Sequence, residues 1–177
     1  MVLLRYLLIF AGIGLLVGAA AILAIAAGDA LADERTRRVV ISIPDRKMVL
    51  LEGSRVLRVY DVAVGKPSTP SPEGEFQIVN RIADPTWFAG PNGPVEPGKN
   101  NPLGSRWMGL SKKGYGIHGT NAPRSIGKAA SHGCIRMRKH DVEELFELIG
   151  VGVTVELNAE RPPVVAQILT ALAVIAA

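Results

Sequence analysis

The chain has 177 residues, with 20 Lys and Arg against 16 Asp and Glu and a net charge of +4 at pH 7. That length fits one ordinary domain with appendages. The basic residues are scattered with no aromatic-interleaved stripe, which argues against nucleic-acid binding, and a single cysteine excludes an internal disulfide.

Residues 1–28 form a hydrophobic leader. Tyr6 to Gly28 holds 23 uncharged residues, long enough as a helix to cross a bilayer core of about 30 Å. It reads as an N-terminal hydrophobic helix, either a membrane anchor or a signal segment. Ala30-Leu31-Ala32 before Asp33 is an A-x-A-type cleavage site, so secretion after cleavage is the competing expectation. Arg35, Arg37 and Arg38 follow the segment and only Arg5 precedes it, a bias that by itself would retain the domain in the cytoplasm. The N-terminal position and the cleavage site favour export. Residues 29–37 are a charged linker.

From Arg38 the chain turns to short β-branched runs. Val39–Ile43, Lys47–Leu51 and Arg55–Val64 read as strands, with Glu52-Gly53-Ser54 as a hairpin turn. In the third run apolar residues alternate, so one face is mainly apolar. Gly65 to Gly74 is a proline-stiffened loop, and Glu75–Ile82 is the next strand. Ala83–Gly104 is loop-rich, with a turn at Asn92-Gly93, and its length suits a binding loop or lid. Arg106–Leu110 and Tyr115–His118 are further strands around Lys112-Lys113-Gly114. One helix is clear: Asp141 caps it, Glu144 completes a capping box, Val142, Leu145, Phe146 and Ile149 form its stripe, and Gly150 ends it. Val151–Leu157 is the last strand. The expected domain is mainly β, residues 38–157, with one helix packed on the sheet. Residues 158–177 are an apolar tail with a helical stripe at Val165, Ile168, Leu169 and Leu172. Val164–Ala177 is too short to span a bilayer, and the tail is expected to dock on the domain or fray.

Chemistry concentrates in two Gly-containing runs. One is Ile117-His118-Gly119-Thr120; the other, Ser131-His132-Gly133-Cys134-Ile135-Arg136-Met137, holds the only cysteine. A cysteine and a histidine are the minimal kit for thiol acyl transfer, in which the thiolate attacks and the imidazole moves the proton. Cys134 is the candidate nucleophile, in a basic setting expected to lower its pKa. His118, at a strand end, is the candidate general base. Gly133 permits close backbone approach, and amides around Gly133 and Cys134 could face the oxygen of a tetrahedral intermediate. Arg136 lies two residues beyond Cys134 and could grip a substrate carboxylate, with a surface ion pair as its alternative role. His140 is expected to face solvent. His118, His132, Cys134 and His140 could in principle hold zinc, but His-x-Cys is not the usual ligand spacing. A copper site would need a further His between Cys134 and Met137. No metal and no cofactor are expected.

The run His118-Gly119-Thr120-Asn121-Ala122-Pro123-Arg124-Ser125-Ile126-Gly127, followed by Ser131–Met137, resembles the signature of the L,D-transpeptidase catalytic (YkuD) domain, in the form of its Gram-negative periplasmic members. Gly65-Lys66-Pro67, Thr69–Phe76 and Asn101-Pro102-Leu103-Gly104 are similar to the family's preceding segments. The resemblance covers about residues 38–157. It implies a β-sandwich-like fold, Cys134 as nucleophile and His118 as proton acceptor and donor. It also implies that Ser131, His132, Gly133, Arg136 and Gly119 shape the substrate or oxyanion site. The implied partners are peptidoglycan stem peptides and an acceptor amine, on a stem or a protein, in the periplasm, with the leader holding the enzyme at the inner membrane. The same site using water would be an L,D-carboxypeptidase or amidase. A non-catalytic wall-binding module is the remaining alternative. Family members are covalently blocked by carbapenems.

Overall fold

β-Branched runs after the linker fold as a meander. The computed structural model describes residues 36–88 and 93–175. The leader 1–28, the linker up to residue 35 and Asn92 of the expected turn lie outside the described residues. Among the described residues no helix is long and apolar enough to cross a membrane. The described residues from Arg37 onward form one unit.

The strands are β1 (Arg37–Ser42), β2 (Lys47–Glu52), β3 (Arg55–Asp61), β4 (Val64–Gly65), β5 (Gly74–Ala83), β6 (Arg106–Leu110), β7 (Gly116–His118), β8 (Ala129–Ser131), β9 (Ile135–Arg136) and β10 (Thr154–Asn158). The helices are α1 (Lys139–Leu148) and α2 (Pro163–Ile175). Eight strands make one curled sheet in the order β3-β2-β1-β10-β5-β6-β7-β9, and β4 and β8 form a small parallel pair. The antiparallel bridge Ala63–Arg136 ties the segment before β4 to the β9 edge. The expected β-sandwich is therefore a single large sheet with a two-stranded companion.

The main core takes residues from nearly every strand, among them Val39, Ile41, Met48, Leu50, Ile78, Met108, Ile117, Ile135, Met137 and Leu157. Helix α1 adds Val142 and Leu145, both fully buried. Each such side chain contributes about 1.5–3 kcal/mol of apolar burial. A second cluster forms on the other face of the meander, where Val165 of α2 packs against Val40, Val49 and Leu51, with Ile168 and Leu169 beside it. The tail thus docks on the domain.

Three expectations are corrected. The run Arg55–Val64 is not one half-buried strand: β3 ends at Asp61, and Val56 and Val59 are about 40% and 38% exposed because β3 is an edge. Helix α1 starts at Lys139 with Arg138 as its cap residue and no side-chain cap, so Asp141 lies in the first turn. Glu144 completes no capping box; it accepts hydrogen bonds from Arg58 at 2.6 Å and Tyr60 at 2.9 Å on β3.

Candidate active site

The β6–β7 hairpin and the short strand β9 carry the two signature runs. Ile117 pairs with Ile135 and His118 with Arg136 in parallel register. Ile117, Ile135 and Met137 are fully buried in the core. Alternation sends the intervening residues to the other face. His118 and Arg136 share that face by register, and the Arg136 charge acts on both His118 and Cys134, so the three side chains lie in one neighbourhood. The cysteine is partly exposed.

His118 is 5% exposed. Its Nδ1 lies 2.6 Å from the carbonyl oxygen of Gly119. A carbonyl accepts only, so Nδ1 carries the proton and Nε2 keeps its lone pair. Burial holds the imidazole pKa down at about 4, with the Arg136 charge acting the same way and hydrogen bonds to the Gly119 and Leu103 backbone opposing. The ring is neutral at pH 7. Trp107, directly opposite His118 in the β6–β7 register, stacks on it with centroids 5.7 Å apart and planes 25° apart. Its indole Nε1–H donates to Asn80 at 3.0 Å. Gly116 is needed beneath the indole, because a Cβ there would stand 2.6 Å from Trp107.

Burial pushes the Cys134 thiol pKa up, while a backbone hydrogen bond from Gly116 and the Arg136 charge pull it down. The basic neighbourhood does not win, so the expected lowering is corrected. The thiol reaches the Gly114 carbonyl at 3.7 Å.

The turn before Cys134 is braced by Ser131, which is 1% exposed. Its hydroxyl donates to the Cys134 carbonyl at 2.6 Å and accepts from the Gly133 amide at 3.0 Å. The Gly133 N–H is thereby occupied and does not face open space. The Cys134 N–H meets no acceptor among the described residues. Gly133 has φ +111°, and a Cβ there would lie 2.6 Å from the Tyr115 ring and 3.0 Å from the Pro70 carbonyl. The loop Lys66–Pro72 is therefore pressed against the Ser131–Cys134 turn. The Lys66 amide donates to the Ser131 carbonyl at 3.1 Å.

Gly119 packs against Gly104: a Cβ on Gly119 would sit 3.1 Å from the Gly104 Cα. This contact brings Leu103 to the imidazole. Asn101, fully buried, secures that loop. It donates to the carbonyls of Pro85, Val95 and Glu96 and accepts from the Leu103 amide at 2.8 Å.

The guanidinium of Arg136 makes no ion pair among the described residues, so the alternative role as a surface ion pair is not what its surroundings provide. His132 and His140 are exposed. Among the described residues no three His, Cys, Asp or Glu side chains cluster as a metal site. A cavity of about 290 Å³ opens beside Gly104, Ser105, Thr120 and Asn121, with Asp84, Lys99 and Lys139 around it. Trp107, Tyr115 and Asn101 were not assigned roles from sequence. Pairing the alternation of Arg106–Leu110 with that of Tyr115–His118 was the available signal for Trp107.

The family model of the L,D-transpeptidase catalytic domain (YkuD) matches residues 36–163. The L,D-transpeptidase YkuD of Bacillus licheniformis is 43% identical over 121 residues, 68% of this chain and 65% of the relative. YqjB of Bacillus subtilis is 40% identical over 129 residues, 70% of this chain and 72% of that one. ErfK/SrfK of Escherichia coli is 28% identical over 72% of this chain and 46% of its own length. The chain thus spans about two thirds or less of several relatives, and its likeness to Bacillus proteins does not single out the Gram-negative type. Among solved structures, the Ldtfm–avibactam carbamoyl enzyme superposes with a TM-score of 0.60 at 27% identity, over 71% of this chain and 49% of that one. The catalytic domain of the Enterococcus faecium L,D-transpeptidase superposes with a TM-score of 0.57, also at 27% identity, over 70% of this chain and 98% of that one. With the signature runs folded together on one sheet and the family match extending over most of its length, the chain belongs to the L,D-transpeptidase catalytic domain (YkuD) family.

Proposed function

We propose that this protein is a cysteine-dependent L,D-transpeptidase acting on peptidoglycan stem peptides outside the cytoplasmic membrane, held there or delivered by its leader. The observation that carries the proposal is the gathering of His118 and Cys134 around the Arg136 charge, with His118 Nδ1 tied to a carbonyl so that Nε2 is the available base.

The thiol of Cys134 passes its proton to Nε2 of His118 as sulfur attacks the carbonyl carbon between the diamino acid and the terminal D-alanine. The unoccupied amide of Cys134 is placed on the nucleophile's own backbone, suited to the developing oxyanion. His118 returns the proton to the departing amine as the C–N bond breaks, leaving a thioester. An amine of a second stem or of a protein then attacks that carbonyl and gives up its proton to His118. The thioester opens and the proton returns to sulfur. Arg136 is suited to hold a substrate carboxylate through this cycle. A raised thiol pKa beside a neutral imidazole means that both groups rest uncharged, and charge appears only as the bond forms.

Incubation with purified tetrapeptide muropeptides tests the proposal. Cross-linked dimers are expected from the wild-type protein and none from Cys134→Ala. Shortened monomers alone would mean hydrolysis, and activity in the alanine variant would refute the nucleophile. Intact-mass measurement after meropenem should add one adduct, absent from Cys134→Ala; an unmodified wild-type protein would count for a non-catalytic wall-binding module.

A further inference from the structure

Beside the reacting groups stands a second cation. Lys66 follows β4, and its backbone is held at both ends: its amide donates to the Ser131 carbonyl at 3.1 Å, and its carbonyl accepts from the Thr69 amide at 2.9 Å. Gly65 before it admits no side chain, because a Cβ would overlap the Thr69 carbonyl at 2.4 Å. Pro67 after it restricts the backbone further. The backbone that carries this lysine is therefore fixed beside the Ser131–Cys134 turn. Its Nζ comes to 3.5 Å from His132 Nε2. An ammonium only donates, so the imidazole nitrogen accepts.

That contact satisfies one of three ammonium hydrogens. Like Arg136, Lys66 makes no ion pair among the described residues. The two cations flank the Ser131–Cys134 turn: Arg136 lies two residues beyond Cys134, and Lys66 is bonded through its backbone to the turn's first residue and approaches its second. Unpaired cations beside a partly buried thiol match a ligand that brings its own negative charges.

We infer that Lys66, braced by His132, is a carboxylate-binding specificity residue that makes the site select stem peptides with free rather than amidated side-chain carboxylates. The inference rests on the proposed action on stem peptides. A primary amide has the size of a carboxylate but carries no charge, and only its single carbonyl oxygen can accept from Lys66. Loss of one charge-assisted contact corresponds to about a 10-fold change in affinity. Arg136 supplies a separate position, for the terminal carboxylate that both forms of the peptide keep.

Equilibrium binding to the Cys134→Ala protein tests this without turnover. The probes are a tetrapeptide stem with free side-chain carboxylates and the same peptide with those carboxylates amidated. The free acid should bind about 10-fold more tightly. Lys66→Gln should weaken the free acid to the level of the amide and leave the amide unchanged, Lys66→Arg should restore the preference, and Lys113→Gln should have no effect. Equal binding of the two peptides, absence of binding, or an equal loss for both in Lys66→Gln would overturn the inference. Selective, Lys66-dependent binding with no turnover by the wild-type protein would instead overturn the transfer reaction and leave the specificity role standing.

Discussion

Trp107 lies face to face with His118 across the β6–β7 ladder, ring centroids 5.7 Å apart, and its indole nitrogen is anchored to Asn80. The indole is one wall of the imidazole's dry environment. Replacing Trp107 with Leu should therefore hydrate the ring and raise the His118 pKa from about 4 toward its ordinary value of 6.5. The measurement is an NMR titration of His118 beside the pH profile of kcat/KM. The acid limb of that profile should move up in the variant. An unmoved titration would show that the indole is only packing.

The same burial links protonation to stability. The folded pKa of His118 is below the unfolded one, so the unfolded chain binds the extra proton first. The contribution is fully present above pH 6.5 and is lost as pH falls from 6.5 toward about 4. Between pH 7 and pH 5 this amounts to about 2 kcal/mol. Urea unfolding at the two pH values should show that loss in the wild type and a smaller one in His118→Gln. Equal pH dependence in both would mean that His118 is not buried in its neutral form.

Ser131 bridges its own turn through one hydroxyl, to the Cys134 carbonyl and from the Gly133 amide. Ser131→Ala strands both groups in a largely buried turn. A cost of about 2–3 kcal/mol is expected in denaturant unfolding. Because the turn sets the position of the sulfur, kcat should fall more than KM rises. A variant with wild-type kcat would show that the turn holds without its brace.

Asn101 makes four side-chain hydrogen bonds from a fully buried site and ties Pro85, Val95 and Glu96 to the Leu103 segment beside His118. Asn101→Ala should cost about 3 kcal/mol. Amide exchange should speed up between residues 93 and 105 while β1 and β2 stay protected. Unchanged exchange in that loop would place its stability elsewhere.

Strands whose residues alternate over five or more positions were legible without coordinates. β1, β2, β5 and β6 fall within a residue or two of their sequence-based spans. The three-residue β8 and two-residue β9 were not, because so short a segment has no periodicity to read. Helix α1 was legible by its apolar stripe but not at its start. The carbonyl of Arg138 already accepts from the Val142 amide at 3.0 Å, and Glu144 is claimed by Arg58 and Tyr60 from a strand more than 80 residues away.

The amino-acid sequence by itself singled out the candidate chemistry-bearing residues, since a lone cysteine and a strand-end histidine are rare in kind and local in pattern. It also determined the apolar alternation that builds the meander and the stripe that docks α1. Only the tertiary structure decided the protonation of that pair. Arg136 next to Cys134 in the chain argues for a low thiol pKa, whereas the folded protein buries the sulfur and the imidazole, and desolvation outweighs one nearby charge. Burial depends on which distant strands close over a residue, and β6, β7 and β9 meet around these two only once the sheet has curled.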